Sequence, residues 1–397
     1  YGRDYDWNKS FFEQFHELLL KAPRINLAQY RGSVNSDYAN FTIDIRNVYL
    51  SYSVLYSENI YYCRSTDYAK ECFDCSNLNY SEKCYWGIDG RRNYQSSFLL
   101  RSRDCIDSQF LFDCVNCQNC FMSSNLRNKQ YMFRNRQLSK EEYKAELAKV
   151  RLGSNTALQV LKKKWLAMAE KALHKFANAI KVINSTGDNI ENSKNAKYVF
   201  DGYDSENVKY ATRVIGGREV YDSYGSKSEL SYEGVASGID SYNCLFMTYG
   251  DSLKNSYFTD WCSFSSDLFG CTALKKKSYC ILNKQYTKEE WEELVPKLIR
   301  HINDIPYKDK KGRVYRYGEL YPIELALYAY NETLANEHYP LTKEEALAEG
   351  YAWRDQDPYP HKPTIQSADL PDDIADIKDS ILDEVIGCPD CGRAYRI

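Results

Sequence analysis

The chain has 397 residues, a net charge of −3, and 36 tyrosines against four methionines. That length leaves room for two or three domains, and the near-neutral balance excludes a chain drawn as a whole toward nucleic acid or membrane by charge. No run approaches eighteen apolar residues, so no membrane span is expected.

The opening YGRDYDWNKS has neither an initiator Met nor a signal-peptide pattern. It points to a processed start or an excerpt of a longer protein, and to a cytoplasmic setting. Residues 7–22 then repeat Phe11, Phe12, Phe15, Leu18 and Leu19 at helical spacing, with Asn8 or Ser10 to cap the start and Pro23 to end it. Residues 24–46 are polar and turn-rich and lead into a repetitive region.

That region keeps a beat of about twelve residues. Tyr49, Tyr61, Phe73, Tyr85, Phe98, Phe110, Phe121 and Tyr131 form one series, and Tyr198, Tyr210, Tyr221, Tyr232, Leu245, Tyr257, Phe269 and Tyr279 form a second. Both contain a thirteen-residue step at the same place. Each closes on a matching tail, NRQLSKEEY from Asn135 and NKQYTKEEW from Asn283. This is an internal duplication. Strand alternation puts the residues on either side of each aromatic anchor on one face and the anchor on the other. Asn47, Asn59, Asn119, Asn243 and Asn255, two before an anchor, read as corner formers.

A coil this short holds no helix and buries no face alone, so stacking is required. The fold expected is mainly β with helical caps: two tandem duplicated short-coil parallel β-solenoids, each followed by α-helix. An antiparallel sandwich competes with it. Ser139 to Glu142 is a capping box, repeated at Thr287 to Glu290 and Thr342 to Glu345. A long helix is expected over 156–183, with Leu158, Leu161, Trp165, Met168, Leu173, Phe176 and Ile180 as its apolar stripe. Another is expected over 288–302. The domains are read as 1–46 (N-terminal helix and lead-in), 47–137 (first array), 138–194 (helical cap), 195–286 (second array), 287–387 (helix and acidic extended region, with YPHKP at 359–363 as linker) and 388–397 (start of a zinc ribbon).

Fourteen cysteines fit into this frame. Cys63 and Cys75, Cys72 and Cys84, and Cys105 and Cys117 stand twelve apart, so they stack on consecutive coils. A disulfide ladder and a column of buried thiols both satisfy that spacing. Cys114, Cys117 and Cys120 have an iron–sulfur-like C-x2-C-x2-C spacing, yet they already belong to the coil pattern. Cys388 and Cys391 form the C-x2-C of a zinc knuckle, a half-site whose other two ligands lie beyond Ile397 or on a partner chain.

The start YGRDYDWNKSFFEQFHELLL, NLRNKQY at 125–131, ILNKQYTKEEWEELVPKLIRHI at 281–302, PLTKEEALAEGYAW at 340–353, LPDDIADI at 370–377 and the closing CPDCGRAYRI carry a resemblance over nearly the whole chain. They resemble a group of uncharacterised Cys- and Tyr-rich repeat proteins with flanking zinc ribbons from candidate-phyla bacteria, seen mainly in metagenomes. The resemblance implies a ribbon, solenoid, ribbon order with Arg-rich ribbons, of which this chain retains only the start of the C-terminal one. It implies no established activity.

Catalytic signals are thin. The five histidines stand in no metal or triad spacing, and no P-loop, G-x-G-x-x-G or nucleophile elbow occurs. The function expected is a non-enzymatic binding scaffold presenting zinc ribbons and tyrosine-rich faces to nucleic acid or a nucleoprotein. Lys162, Lys163, Lys164, Lys275, Lys276, Lys277, Arg91 and Arg92 are its candidate contacts. The alternatives are a solenoid hydrolase or carbohydrate binder using an acidic, aromatic groove (Asp104, Asp107 and Asp113, or Asp222, Asp240 and Asp260), and a protein–protein adaptor.

Overall fold

The structure is a computed structural model that describes all residues except 26, 30–31, 74–75, 80–86, 89, 91, 237, 356, 358–360 and 397. For 65–67, 71–73, 76–79 and 87–88 it describes the backbone alone. The chain divides into two compact units, Tyr1–Arg24 with Lys175–Asp357 and Ile25–His174 with Pro358–Ile397. Strands outweigh helices, and each unit is built on a ten-stranded sheet. Every pair in these sheets is parallel except the last, Met132–Phe133 with Arg136–Gln137 and Ser278–Ile281 with Lys284–Gln285. Parallel pairing overturns the antiparallel sandwich. Tyr49, Tyr61 and Phe73 stand in register on adjacent strands.

The period within each coil is three residues, not two. From Gln95 to Met122 every third residue is left-handed: Gln95, Phe98, Arg101, Asp104, Asp107, Phe110, Asp113, Asn116, Asn119 and Met122. The residue after each is buried, giving Ser96, Leu99, Ser102, Cys105, Ser108, Leu111, Cys114, Cys117, Cys120 and Ser123. A left-handed residue turns the chain, so the two-residue alternation expected around the aromatic anchors does not develop from Gln95 to Met122. The predicted faces are corrected accordingly. Leu50, placed inside by alternation, is left-handed and 52% exposed.

Left-handed backbone costs an ordinary residue roughly 1–2 kcal/mol and is easiest for Asn, Asp and Gly. Asn and Asp are accordingly the commonest residues there, and Asn47, Asn59, Asn119, Asn243 and Asn255 all adopt it. Their amides form ladders from coil to coil, as in Asn35 to Asn47 to Asn59 and Asn243 to Asn255.

The backbone hydrogen bonds explain the inward residues. The N–H of an outward residue donates forward to the next coil (Ile106 to the Cys117 carbonyl), and that of the left-handed residue donates back (Asp107 to the Tyr94 carbonyl). The third N–H points inward and needs a side-chain acceptor. Serine provides it. The Ser108 hydroxyl donates to the Ile106 carbonyl at 2.8 Å and accepts the Cys120 N–H at 3.0 Å, twelve residues on. Ser51, Ser96 and Ser193 do the same.

In the first array the step is twelve residues throughout the described registers from Ala39 onward. The thirteen-residue step expected before Phe98 is a change of column. Ser97, not Phe98, is in register with Gln109 and Phe121. In the second array the step is real, since a register shift at Lys227/Ser228 sets Ser231 against Cys244 and Tyr232 against Leu245.

Helix α1 (Phe11–Lys21) starts at a Ser10–Glu13 capping box and packs on the second array, not the first. Phe11 lies 5.0 Å from Phe258 and 5.2 Å from Phe269. Gly270 makes the room, because a Cβ there would stand 2.7 Å from the Phe11 ring. The approach is anchored by Tyr5, whose hydroxyl donates to His301 Nδ1 at 2.7 Å, while His301 Nε2–H donates to the Trp7 carbonyl.

In the other unit α2 (Lys140–Leu147) and α3 (Asn155–Lys171) cover the first array. Trp165 is fully buried against Phe98 and Phe110, and its indole N–H donates to the Leu111 carbonyl. The long helix expected to Ile183 stops at Lys171. The Asn125 side chain brackets the Leu173 backbone, accepting its N–H at 3.1 Å and donating to its carbonyl at 2.8 Å, in place of the next helical bonds. Leu173 and Phe176 are exposed, and Ile180 joins a strand. The Thr287–Glu290 box opens α4 (Lys288–Asp304), and Thr342–Glu345 opens a short helix at Lys343–Ala348.

Candidate functional site

Two groups of cysteines meet the requirements of chemistry most closely. At the C-terminal end, Ile386–Gly387 pairs with Ala394–Tyr395 to form a hairpin, with Ile365–Gln366 parallel beside it. Within its turn the Cys388 N–H donates to the Arg393 carbonyl, and the Gly392 N–H to the Cys388 carbonyl. Gly392 supplies the positive φ of +70° that the turn requires. The N–H groups of Cys391 and Asp390 donate to the Cys388 sulfur, and the Cys391 thiol adds a third contact. These bonds hold Cys388 below the ordinary thiol value, as a metal ligand needs. Both thiols reach solvent. Among the described residues no group of three or more His, Cys, Asp or Glu is gathered to hold a metal ion, so this turn offers two ligands.

The second group is internal. Cys105, Cys114, Cys117 and Cys120 are fully buried and share one apolar cluster with Leu99, Leu111 and Met132. The three-residue period aims the C-x2-C-x2-C run inward, and Cys105 arrives from the preceding coil. Each sulfur donates to the carbonyl two residues back, as the serines do. Their contacts with Cys117 raise the thiols of Cys105, Cys114 and Cys120, burial adds to this, and the same contacts lower Cys117. Cys105 and Cys117 are free thiols and Cys63 is buried; no disulfide joins any two of the described cysteines. Of the predicted ladder, Cys75 and Cys84 lie outside the described residues. Cys72 is described by backbone alone, in register with Ile60. The signal for this arrangement lay in the sequence as Ser, Leu or Cys at every third position from Ser96 to Leu126.

The basic candidates are divided between the units. Lys163 and Lys164 are exposed on α3, while the Lys162 ammonium stands 5.3 Å over the Phe98 ring. Arg92 forms a two-pronged bond with Asp104 at 2.6 and 2.9 Å, and Arg91 lies outside the described residues. In the other unit Lys275, Lys276 and Lys277 are exposed, with Lys275 over Phe264 at 5.9 Å. The acidic candidates serve the coils. Asp104, Asp107, Asp113, Asp222 and Asp240 are left-handed corner residues, and Asp113 pairs with Arg127. Asp260 is buried, which pushes its carboxyl up; Arg24 at 2.8 Å opposes this.

Aromatic rings stack between coils. Tyr56 lies on Tyr68 at 4.9 Å and 16°, and Tyr198 on Tyr210 at 5.3 Å and 7°. No protein-family model matches the chain, and no curated protein matches it.

Proposed function

We propose that the protein is a non-enzymatic binding scaffold for a nucleoprotein, built as two duplicated parallel β-solenoids with a zinc-binding turn at Cys388 and Cys391. The constant offset of 148 residues between the closing pairs (Met132 to Cys280), the capping boxes (Ser139 to Thr287) and the buried aromatics (Tyr143 to Trp291) supports the duplication. The resemblance to Cys- and Tyr-rich ribbon proteins points the same way. The observation that carries the reading is the parallel coil-to-coil register, twelve residues through the described first array and eleven to thirteen in the second, which sets outward side chains roughly 4.8 Å apart. Such a surface presents side chains at set spacing without reorganisation.

Exposed Lys163, Lys164, Lys275, Lys276 and Lys277 are the groups for phosphate. Contact with nucleic acid runs through these cations. Titration of the protein with a fluorescent single-stranded oligonucleotide at several salt concentrations tests this. Affinity should fall steeply with salt, and Lys163→Glu/Lys164→Glu or Lys275→Glu/Lys276→Glu should weaken binding and flatten the slope. Salt-independent binding, or none, removes nucleic acid from the reading.

A further inference from the structure

A trough of about 500 Å³ crosses successive coils of the first array, within the size range of small-ligand sites. One wall is a column of left-handed residues, Asp44, Tyr56 and Tyr68. The other is the outward column of Arg46, Glu58 and Lys70, in register on adjacent parallel strands. Ile45 and Ser57, buried between the two columns, form the floor. Tyr56 and Tyr68 stack at 4.9 Å and are 38% and 50% exposed, so the first wall is largely aromatic. A Cβ on Gly32 would collide with the Asp44 carboxylate, which therefore lies back over the preceding coil and away from Tyr56.

Arg46 and Glu58 are the informative pair. Opposite charges twelve residues apart bond across neighbouring coils elsewhere in the chain, Arg92 with Asp104 at 2.6 Å and Lys194 with Glu206 at 3.2 Å. Arg46 and Glu58 have the same spacing and the same register, yet among the described residues neither forms an ion pair or a side-chain hydrogen bond. A guanidinium and a carboxylate thus line the trough side by side with their hydrogen-bonding capacity open.

The backbone there is already committed. The N–H groups of Val34, Ile45, Arg46 and Glu58 all donate to neighbouring coils, and the Ile45 and Ser57 carbonyls accept such bonds. An occupant therefore meets side chains, and a peptide adding as a strand finds no main-chain partners on the floor. A polyanion would be opposed by Asp44 and Glu58, and a wholly apolar ligand would desolvate charged groups without pairing them. A neutral ligand with adjacent hydroxyls suits both members of the pair, because a hydroxyl accepts from a guanidinium and donates to a carboxylate. Its C–H groups then cover the tyrosine wall and Val34, which is 52% exposed.

We propose that this trough binds a neutral oligosaccharide lying across the coils, with adjacent hydroxyls bonded to Arg46 and Glu58 and C–H groups against Tyr56 and Tyr68. This site is separate from the lysines assigned to phosphate, and it stands or falls apart from the nucleoprotein reading.

Isothermal titration calorimetry of the full chain with cellohexaose, mannohexaose, xylohexaose and laminarihexaose tests it. At least one should bind, with an affinity that does not change with salt. Arg46→Ala and Glu58→Gln should each weaken that binding roughly tenfold or more, through loss of a charge-assisted hydrogen bond. Neither side chain has a partner to lose, so both variants should melt like the parent, and Lys163→Glu/Lys164→Glu should leave sugar binding unchanged. Absence of binding to all four sugars, or equal binding by the Arg46 and Glu58 variants, overturns the proposal. So does binding of a single-stranded oligonucleotide that Arg46→Ala weakens and Glu58→Gln strengthens, which would assign the trough to a polyanion.

Discussion

An inward serine in this chain bridges two backbone groups on successive coils. Ser108 is fully buried, donates to the Ile106 carbonyl and accepts the Cys120 N–H. Ser108→Ala leaves the buried Cys120 N–H without its acceptor and should cost about 1–3 kcal/mol in denaturant unfolding. Ser108→Cys should cost less, because sulfur makes the same two contacts at Cys105, Cys114, Cys117 and Cys120. This equivalence explains why Ser and Cys alternate along the interior without any disulfide among the described cysteines. It was only half legible. The twelve-residue recurrence of Cys was plain, but reading strands by twos hid the period of three that C-x2-C-x2-C displays.

Helices close the arrays, and their starts were the most legible features, since a Ser or Thr followed by Glu three residues on satisfies two N–H groups locally. Their partners were not legible. Nothing in Phe11, Phe12 and Phe15 states which array they cover. Removing residues 1–22 should expose Phe246, Phe258 and Phe269 and unfold the second array while the first still melts cooperatively. Equal loss of both transitions in calorimetry would contradict this assignment. Trp165→Ala removes the centre of the α3 interface and should cost about 3–5 kcal/mol.

Asp372 binds the N-terminus of α3, accepting from the Ser154 hydroxyl at 2.5 Å and the Thr156 N–H at 2.7 Å. These bonds lower its carboxyl from 3.8 to about 2. Its stabilisation is therefore complete above the ordinary value and is lost as pH falls through the folded one. Melting curves of Asp372→Asn and the parent should differ at pH 6 and converge near pH 2.

On the scale of the whole molecule, the two matching tails of the sequence point to the proposed duplication, and both arrays end in a hairpin followed by a capping box. The two-thiol turn at Cys388 was legible from C-x2-C, but the N–H groups that lower its thiol follow only from the folded turn. Metal analysis should find zinc that Cys388→Ser removes. A zinc-free protein in which both thiols alkylate readily at pH 7 would contradict the metal reading.

The central claim is that the chain turns at every third residue and points every third side chain inward. Single cysteines placed along 101–109, with site-resolved alkylation under native conditions read by mass spectrometry, test it most directly. Protection should peak at 102, 105 and 108, with labelling at the positions between. Protection at every second residue would contradict it.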